Sequence, residues 1–263
     1  MNRKWTGVAA ATIAIAAGGL VAWQGVAAAT PKTPKVPTYI AKAVADPARP
    51  KADTDRDAER KPSDMLVFAE IKPGERVVDF MPGGGYFTHL FSPAVGPKGR
   101  VYDFVPSELG KFAKAGPLPA SGSQPDKDRP NVFAMVRPVN QFAVPEPVDL
   151  VWTSQNYHDL HDPFMGPADM KAFDTAVFNA LKPGGVFVVL DHAAPDGSGV
   201  SDTNTLHRID EAAVKAEVIS VGLVLDGESN VLRNPADPRD KLVFDPSIRG
   251  HTDQFFLKFR KPK

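Results

Sequence analysis

The stretch "VVDFMPGGGYFTHLF", residues 77–91, carries the first chemistry in this sequence. An apolar run passes an acid, Asp79, and enters three consecutive glycines, Gly83, Gly84 and Gly85, ahead of an amphipathic segment. Glycine reaches positive φ and lets backbone approach a ligand with no Cβ in the way. A helix starting behind such a turn points free N–H groups and its positive dipole end at it. That is the outline of a turn that cradles a nucleotide-like cofactor. Two further stretches are dense in titratable groups: "SQNYHDLHD" at 154–162 and "DHAAPDGSG" at 191–199. His158, Asp159, His161 and His192 could approach one cavity, and a histidine near pH 7 suits a general base. His158 with Asp159 is the first choice and His192 the second, while His161 and Asp162 read as capping or loop groups. "HDLH" sets two histidines at i and i+3, which is not a distinctive zinc pattern, and spacing fixes no third ligand. No metal site is assigned on that basis, and no GxSxG elbow points to a serine nucleophile. His207 and Arg208 read equally as a salt-bridged surface face or as pocket lining.

These groups need a frame, and strands alternate with helices along the chain. "RVVDF", "GRVYDFV", "NVFAMVRPV", "VDLVWTS" and "VFVVLDH" read as five strands. Helices are expected at 85–96, at 106–115 and at 168–181, the last stopped by "KPGG". A further helix over 206–221 is expected to bury Ile209, Ala213, Ala216 and Ile219. "LVLDGESNVL" and "QFFLKFRK" have no helix between them and should form an antiparallel hairpin. The fold expected is α/β: a doubly wound, mostly parallel, seven-stranded sheet with a C-terminal antiparallel hairpin. Between the last two strands, Arg233, Asp237, Arg239, Asp240 and Arg249 suggest a long loop pinned by ion pairs. The other reading is a flap whose arginine recognises an anion.

Composition bounds the function. Lys plus Arg and Asp plus Glu both number 31, so nothing electrostatic favours nucleic acid as a partner. The chain has no cysteine, which excludes disulfides and thiolate metal sites. Residues 1–29 combine a short basic head, an apolar run and small residues in the A-x-A style, the pattern of a secretory signal peptide. An exported, periplasmic protein is expected; the alternative is an uncleaved N-terminal anchor, the sole membrane contact foreseen. Residues 30–53, rich in Pro, Lys and Ala, read as an extended linker. The domain proper then runs over 54–263. Two short helices should open it, the second capped by Ser63.

"IKPGERVVDF…GGG", "VDLVWTS" and "LKPGGVFVVLDH", in this order, resemble a class I S-adenosylmethionine-dependent methyltransferase. "NYHDLHD", "LHRIDEAAVKAEV" and the segment from "LRNPADPRDK" to "FRKP" narrow the resemblance to a bacterial group of exported methyltransferases. It implies a Rossmann-like fold over about 65–261, S-adenosylmethionine as cofactor and a small-molecule acceptor. It also implies cofactor contacts from Asp79, Gly83, Gly84, Gly85, Asp103, Asn140 and Asn156. Two positions depart from the pattern: Met81 stands where the first loop glycine would, and Val105 where an acid would meet the ribose. Asp103 or Glu108 could substitute for that acid. The alternative functions are an exported, non-catalytic metabolite-binding protein on the same fold and, more distantly, a metal-dependent hydrolase.

Overall fold

The computed structural model describes residues 35–112, 117–125, 127–166 and 168–263. The leader expected at 1–29 lies outside them. Four short helices open the domain: α1 (Thr38–Val44), α2 (Lys51–Thr54), α3 (Asp57–Arg60) and α4 (Pro62–Phe68). Strand β1 (Arg76–Phe80), helix α5 (Thr88–Val95), and strands β2 (Arg100–Pro106), β3 (Val132–Arg137) and β4 (Val148–Ser154) follow. Then come α6 (Met170–Ala180), β5 (Leu181–His192), α7 (Thr203–Leu206), α8 (Glu211–Ser220), β6 (Val224–Ser229) and β7 (Gln254–Arg260). The seven strands form one sheet in the order β3-β2-β1-β4-β5-β7-β6. β1 to β5 pair in parallel, and β7 runs antiparallel between β5 and β6. The doubly wound sheet with its antiparallel hairpin is as the sequence pattern leads one to expect.

A parallel sheet covered on both faces has strands apolar at successive positions, because each side chain in turn meets a different core. In β1, Val77 packs with Ile40, Leu66, Leu90 and Phe91 on the α1/α4/α5 face. Its neighbour Val78 packs with Phe173, Val177, Val214 and Val218 on the α6/α8 face. Both polar rims used below therefore stand at the carboxyl ends of strands fixed from two sides. Among the described residues no helix is long and apolar enough to cross a membrane.

Several local expectations fail. Part of the segment read as a linker is helical: α1 buries Ile40 and Ala43 in the α5 core. At seven and four residues, α1 and α2 are too short to show a 3.6-residue period. Ser63 caps nothing, since Pro62 is the first helical residue of α4 and Lys61 precedes it at φ 46°. The helix expected over 206–221 is broken at His207 (φ 52°). Its remaining part, α8, buries Val214 and Val218 and leaves Ile219 46% exposed. Ile209 instead bridges to Ala193 as a short piece of strand. The connection from β6 to β7 is pinned by ion pairs: Arg208 to Asp237, and Arg233 and Arg239 to Asp253.

Candidate functional site

The β1–β2 register sets Asp79 beside Asp103. Both are buried, and α5 lays Thr88 over them, its Oγ1 2.8 Å from Asp79 Oδ2 and 2.8 Å from Asp103 Oδ1. A hydroxyl has one hydrogen, so it cannot donate to two carboxylates at once. Burial, then repulsion from Asp103, pushes the Asp79 carboxyl well above its usual range, and burial takes Asp103 up to about 7. The pair thus holds a proton, and a protonated carboxyl donates back to Thr88. Asp103 is used up here rather than turned toward a ribose.

The loop between β1 and α5 solves the missing-glycine problem by strain. Met81 adopts φ 55°, the left-handed conformation that glycine takes without cost. Its side chain is buried against the Phe80 and Phe104 core, so it need not fill the cradle. Its N–H donates to Phe104 O at 2.9 Å, and its carbonyl accepts from Asn156 Nδ2 at 3.0 Å. Gly83 and Gly84 face open space, where a Cβ would meet nothing within 4 Å. The helix starts at Thr88, three residues later than expected, after a run of turn at 83–87.

The N-terminal helices close over this loop. Asp53 takes His89 Nδ1 at 2.6 Å, and Asp57 accepts from Tyr86 Oη at 2.8 Å while Arg49 grips it bidentately. Arg60 lies over the rings of Tyr86 and Phe87. The only hydrogen-bond partner of its guanidinium among the described residues is Gln155 Oε1 at 2.9 Å. Burial, with Arg56 beside it, lowers the guanidinium to about 10, still charged at neutral pH. A cavity of about 200 Å³ results, lined by Arg60, Asp79, Gly83, Gly84 and Asn156, while Gly85 turns against the His89 ring and does not line it.

A second cavity of about 170 Å³ adjoins it through Arg56, Arg60, Phe87 and Gln155, and contains His192, Phe244 and Arg249. Burial and the cations of His158, Arg208 and Arg60 push His192 down to about 3, so it is neutral at physiological pH. One chain of hydrogen bonds joins the two cavities. Arg60 donates to Gln155 Oε1; Gln155 Nε2 donates to Gln254 Oε1 at 3.0 Å; Gln254 Nε2 reaches Thr252 Oγ1 at 3.5 Å. Thr252 Oγ1 in turn lies 2.7 Å from His192 Nδ1. A guanidinium only donates, so both glutamine amides are oriented from that end and Thr252 Oγ1 accepts from Gln254. A hydroxyl can accept twice, so this alone does not orient Thr252. Its hydrogen has no other acceptor among the described residues than His192 Nδ1, which places the His192 proton on Nε2.

The other expected base is elsewhere. His158 is 2% exposed, in a single turn over His158–His161. Its Nδ1 and its backbone N–H both bond Asp191, at 2.8 and 2.9 Å. Burial opposes the charge, but Asp191, helped by Asp159 and Asp162, raises His158 to about 9. His158 and Asp159 line neither cavity described above; His192 does. His161 turns toward Glu217 at 3.3 Å. Asn140 is exposed and accepts from the Asp169 N–H at 2.9 Å, and Glu108 caps the Val139 N–H. Arg208 is wholly buried, anchoring the tail rather than forming a surface face. Sequence reasoning missed Arg60, Thr88, Gln155, Asp191 and Thr252. Only Asp191 carried a signal, as the acid beside His192 at a strand end.

No protein-family model and no curated protein matches the chain. Solved structures do. A SAM-dependent methyltransferase from Aquifex aeolicus superposes at TM-score 0.53 and 17% identity, covering 80% of this chain and 95% of that one. The N-methyltransferase NodS from Bradyrhizobium japonicum WM9 does so at 0.50 and 13%, covering 81% and 99%. An arsenic(III) S-adenosylmethionine methyltransferase from Chlamydomonas reinhardtii follows at 0.50 and 17%, covering 86% and 74%. At these identities the likeness carries the fold: the chain has the α/β, Rossmann-like architecture on which these methyltransferases are built.

Proposed function

We propose that the protein is an S-adenosylmethionine-dependent methyltransferase acting on a small-molecule acceptor. The observation that carries this reading is the open glycine cradle beside a largely buried arginine that has no carboxylate hydrogen-bonded to it among the described residues. Arg60 and the loop N–H groups suit the carboxylate of the cofactor's amino-acid end. Asp79 and Thr88 hold the loop from below, and Asn156 holds it at Met81 O. The cofactor, when bound, supplies an electrophilic methyl group on a sulfonium. What remains for the protein is to align an acceptor atom with it.

The adjoining cavity suits that task. Arg56 and Arg249 line it without an ion-pair partner among the described residues, and His192 Nε2–H is available as a donor. Such a lining orients an acceptor through anionic or carbonyl oxygens, and His192 at about pKa 3 binds rather than removes a proton. Export to the periplasm belongs to the same reading and rests on the leader-like composition of residues 1–29. Asp103 and Glu108, both engaged elsewhere, favour a second reading, a binding protein on this fold without catalysis.

Calorimetry with S-adenosylmethionine and S-adenosylhomocysteine tests the choice, with Gly84→Asp as control. Gly84 has no positive φ and open space at its Cβ position, so the variant should fold while placing a carboxylate in the cradle. Micromolar binding by the wild type, lost in Gly84→Asp, is the expected result. A folded wild type that binds neither compound sinks the transferase reading.

A further inference from the structure

The geometry points to a binding site for a zinc-type divalent cation formed by His158, Asp159 and His207, distinct from both cavities above. The potential ligand atoms are His158 Nε2, His207 Nδ1 and Asp159 Oδ1. They are separated by 3.1 Å (His158 to His207), 3.3 Å (His158 to Asp159) and 3.7 Å (His207 to Asp159). The circle through three points so spaced has a radius of about 2.0 Å, the length of zinc bonds to histidine nitrogen and carboxylate oxygen. An ion slightly out of that plane meets all three without moving a side chain. Two imidazoles and a carboxylate form a ligand set that zinc accepts readily.

The surroundings support a ligating role. A metal-binding histidine is usually held by a carboxylate on its other ring nitrogen, which fixes the tautomer and raises its basicity. Asp191 does this to His158 from a wholly buried position: it accepts from Nδ1, so that Nε2, once an ion displaces its proton, offers its lone pair beside His207. Asp191 is itself fixed by the N–H groups of His158 and His192. Behind the cluster, Asp162 is 2% exposed and neither carboxylate oxygen has a hydrogen-bond partner among the described residues. The Thr203 hydroxyl beside it is bonded to Val200 O at 3.2 Å. A buried carboxylate without a donor is costly unless it keeps a proton or a cation lies near. Burial, with Asp159 beside it, pushes the Asp162 carboxyl up, and an ion held by His158, Asp159 and His207 would offset that. On the open side the His207 and Asp159 side chains are 30% and 14% exposed, so water can take a fourth position.

Two ligands come from the "HDLH" turn after β4, and the third arrives from the break between α7 and α8. The ion would clasp that break, from which Arg208 anchors the β6–β7 connection, to the β4 rim. The competing occupant is a proton shared between His158 Nε2 and His207 Nδ1.

Titration of the tag-free, chelator-treated full chain with zinc chloride separates the two, by calorimetry and by elemental analysis after gel filtration. One zinc per chain is expected, with affinity lost in His207→Ala and Asp159→Asn and weakened roughly 10- to 100-fold in Asp191→Asn. His161→Ala should bind as the wild type does, because its ring faces Glu217. Circular dichroism confirms that each variant is folded. A folded wild type that retains no zinc overturns the proposal, as does a His207→Ala variant that binds zinc at full affinity. Neither readout depends on S-adenosylmethionine binding.

Discussion

Two groups of buried acids stand at the strand ends, Asp79 with Asp103 on β1 and β2, and Asp191 on β5. Exposure is 2%, 7% and 0%, so desolvation pushes all three toward the neutral form. Yet Asp79 and Asp103 are raised, whereas Asp191 is held below the usual aspartate range despite its burial, by the charge of His158 and its hydrogen bonds. The difference lies in what each is offered. Thr88 brings the first pair its hydroxyl hydrogen and its backbone N–H, and no charge. Asp191 receives an imidazole and two backbone N–H groups. Burial alone therefore does not decide the charge at these rims; the supply of donors does.

The sharpest way to break the comparison is Asp191→Asn. Removing one partner of a buried pair leaves the other charge uncompensated, and the expected loss is about 3–5 kcal/mol in denaturant unfolding. An unchanged midpoint would mean that His158 is not held as a cation by Asp191.

Asp103→Asn should act in the opposite sense, and through pH. Asp103 ionises near 3.8 in an unfolded chain and near 7 in the folded one. Between those values the unfolded state binds fewer protons, so Asp103 lowers wild-type stability as pH rises, by up to about 1.4 kcal/mol per unit. That contribution levels off above 7 and stands beside a slope of the same sign from the buried Asp79. Asparagine cannot ionise and no longer repels Asp79. The variant should keep only the Asp79 part of the slope, fall less steeply than the wild type between pH 4 and 7, and exceed it in stability at pH 8. Parallel curves for the two proteins between pH 4 and 7 would refute the shared proton.

The sequence revealed one of these regions better than the other. Alternating strands and helices, the hairpin and the glycine turn with Asp79 could all be read, because each depends on local order along the chain. Asp103 was recognised as an acid on the right face, but not as one already engaged, since that depends on Thr88 arriving from α5. His158 was identified as chemically able, and its burial against Asp191 across 33 residues left no local trace. The same holds for His207, which "HDLH" needed as a third partner and could not name. Arg60 hid in helices too short to show a period.

The smallest expected effect concerns the link between the two cavities. Arg60 can only donate, so the amides of Gln155 and Gln254 are oriented in sequence, and the Thr252 hydrogen, with no other acceptor among the described residues, goes to His192 Nδ1. Long-range ¹⁵N–¹H correlation spectra of the wild type should therefore show a neutral His192 carrying its proton on Nε2. Thr252→Val removes the donor at Nδ1, at a cost of about 1 kcal/mol for one hydrogen bond. With the bias gone, the Nδ1–H tautomer should become populated, while Asp79 and Asp103, which share no partner with the chain, keep their titration. A wild-type His192 protonated on Nδ1 would show that Thr252 Oγ1 accepts from both Gln254 and His192. His192 would then face its cavity as an acceptor.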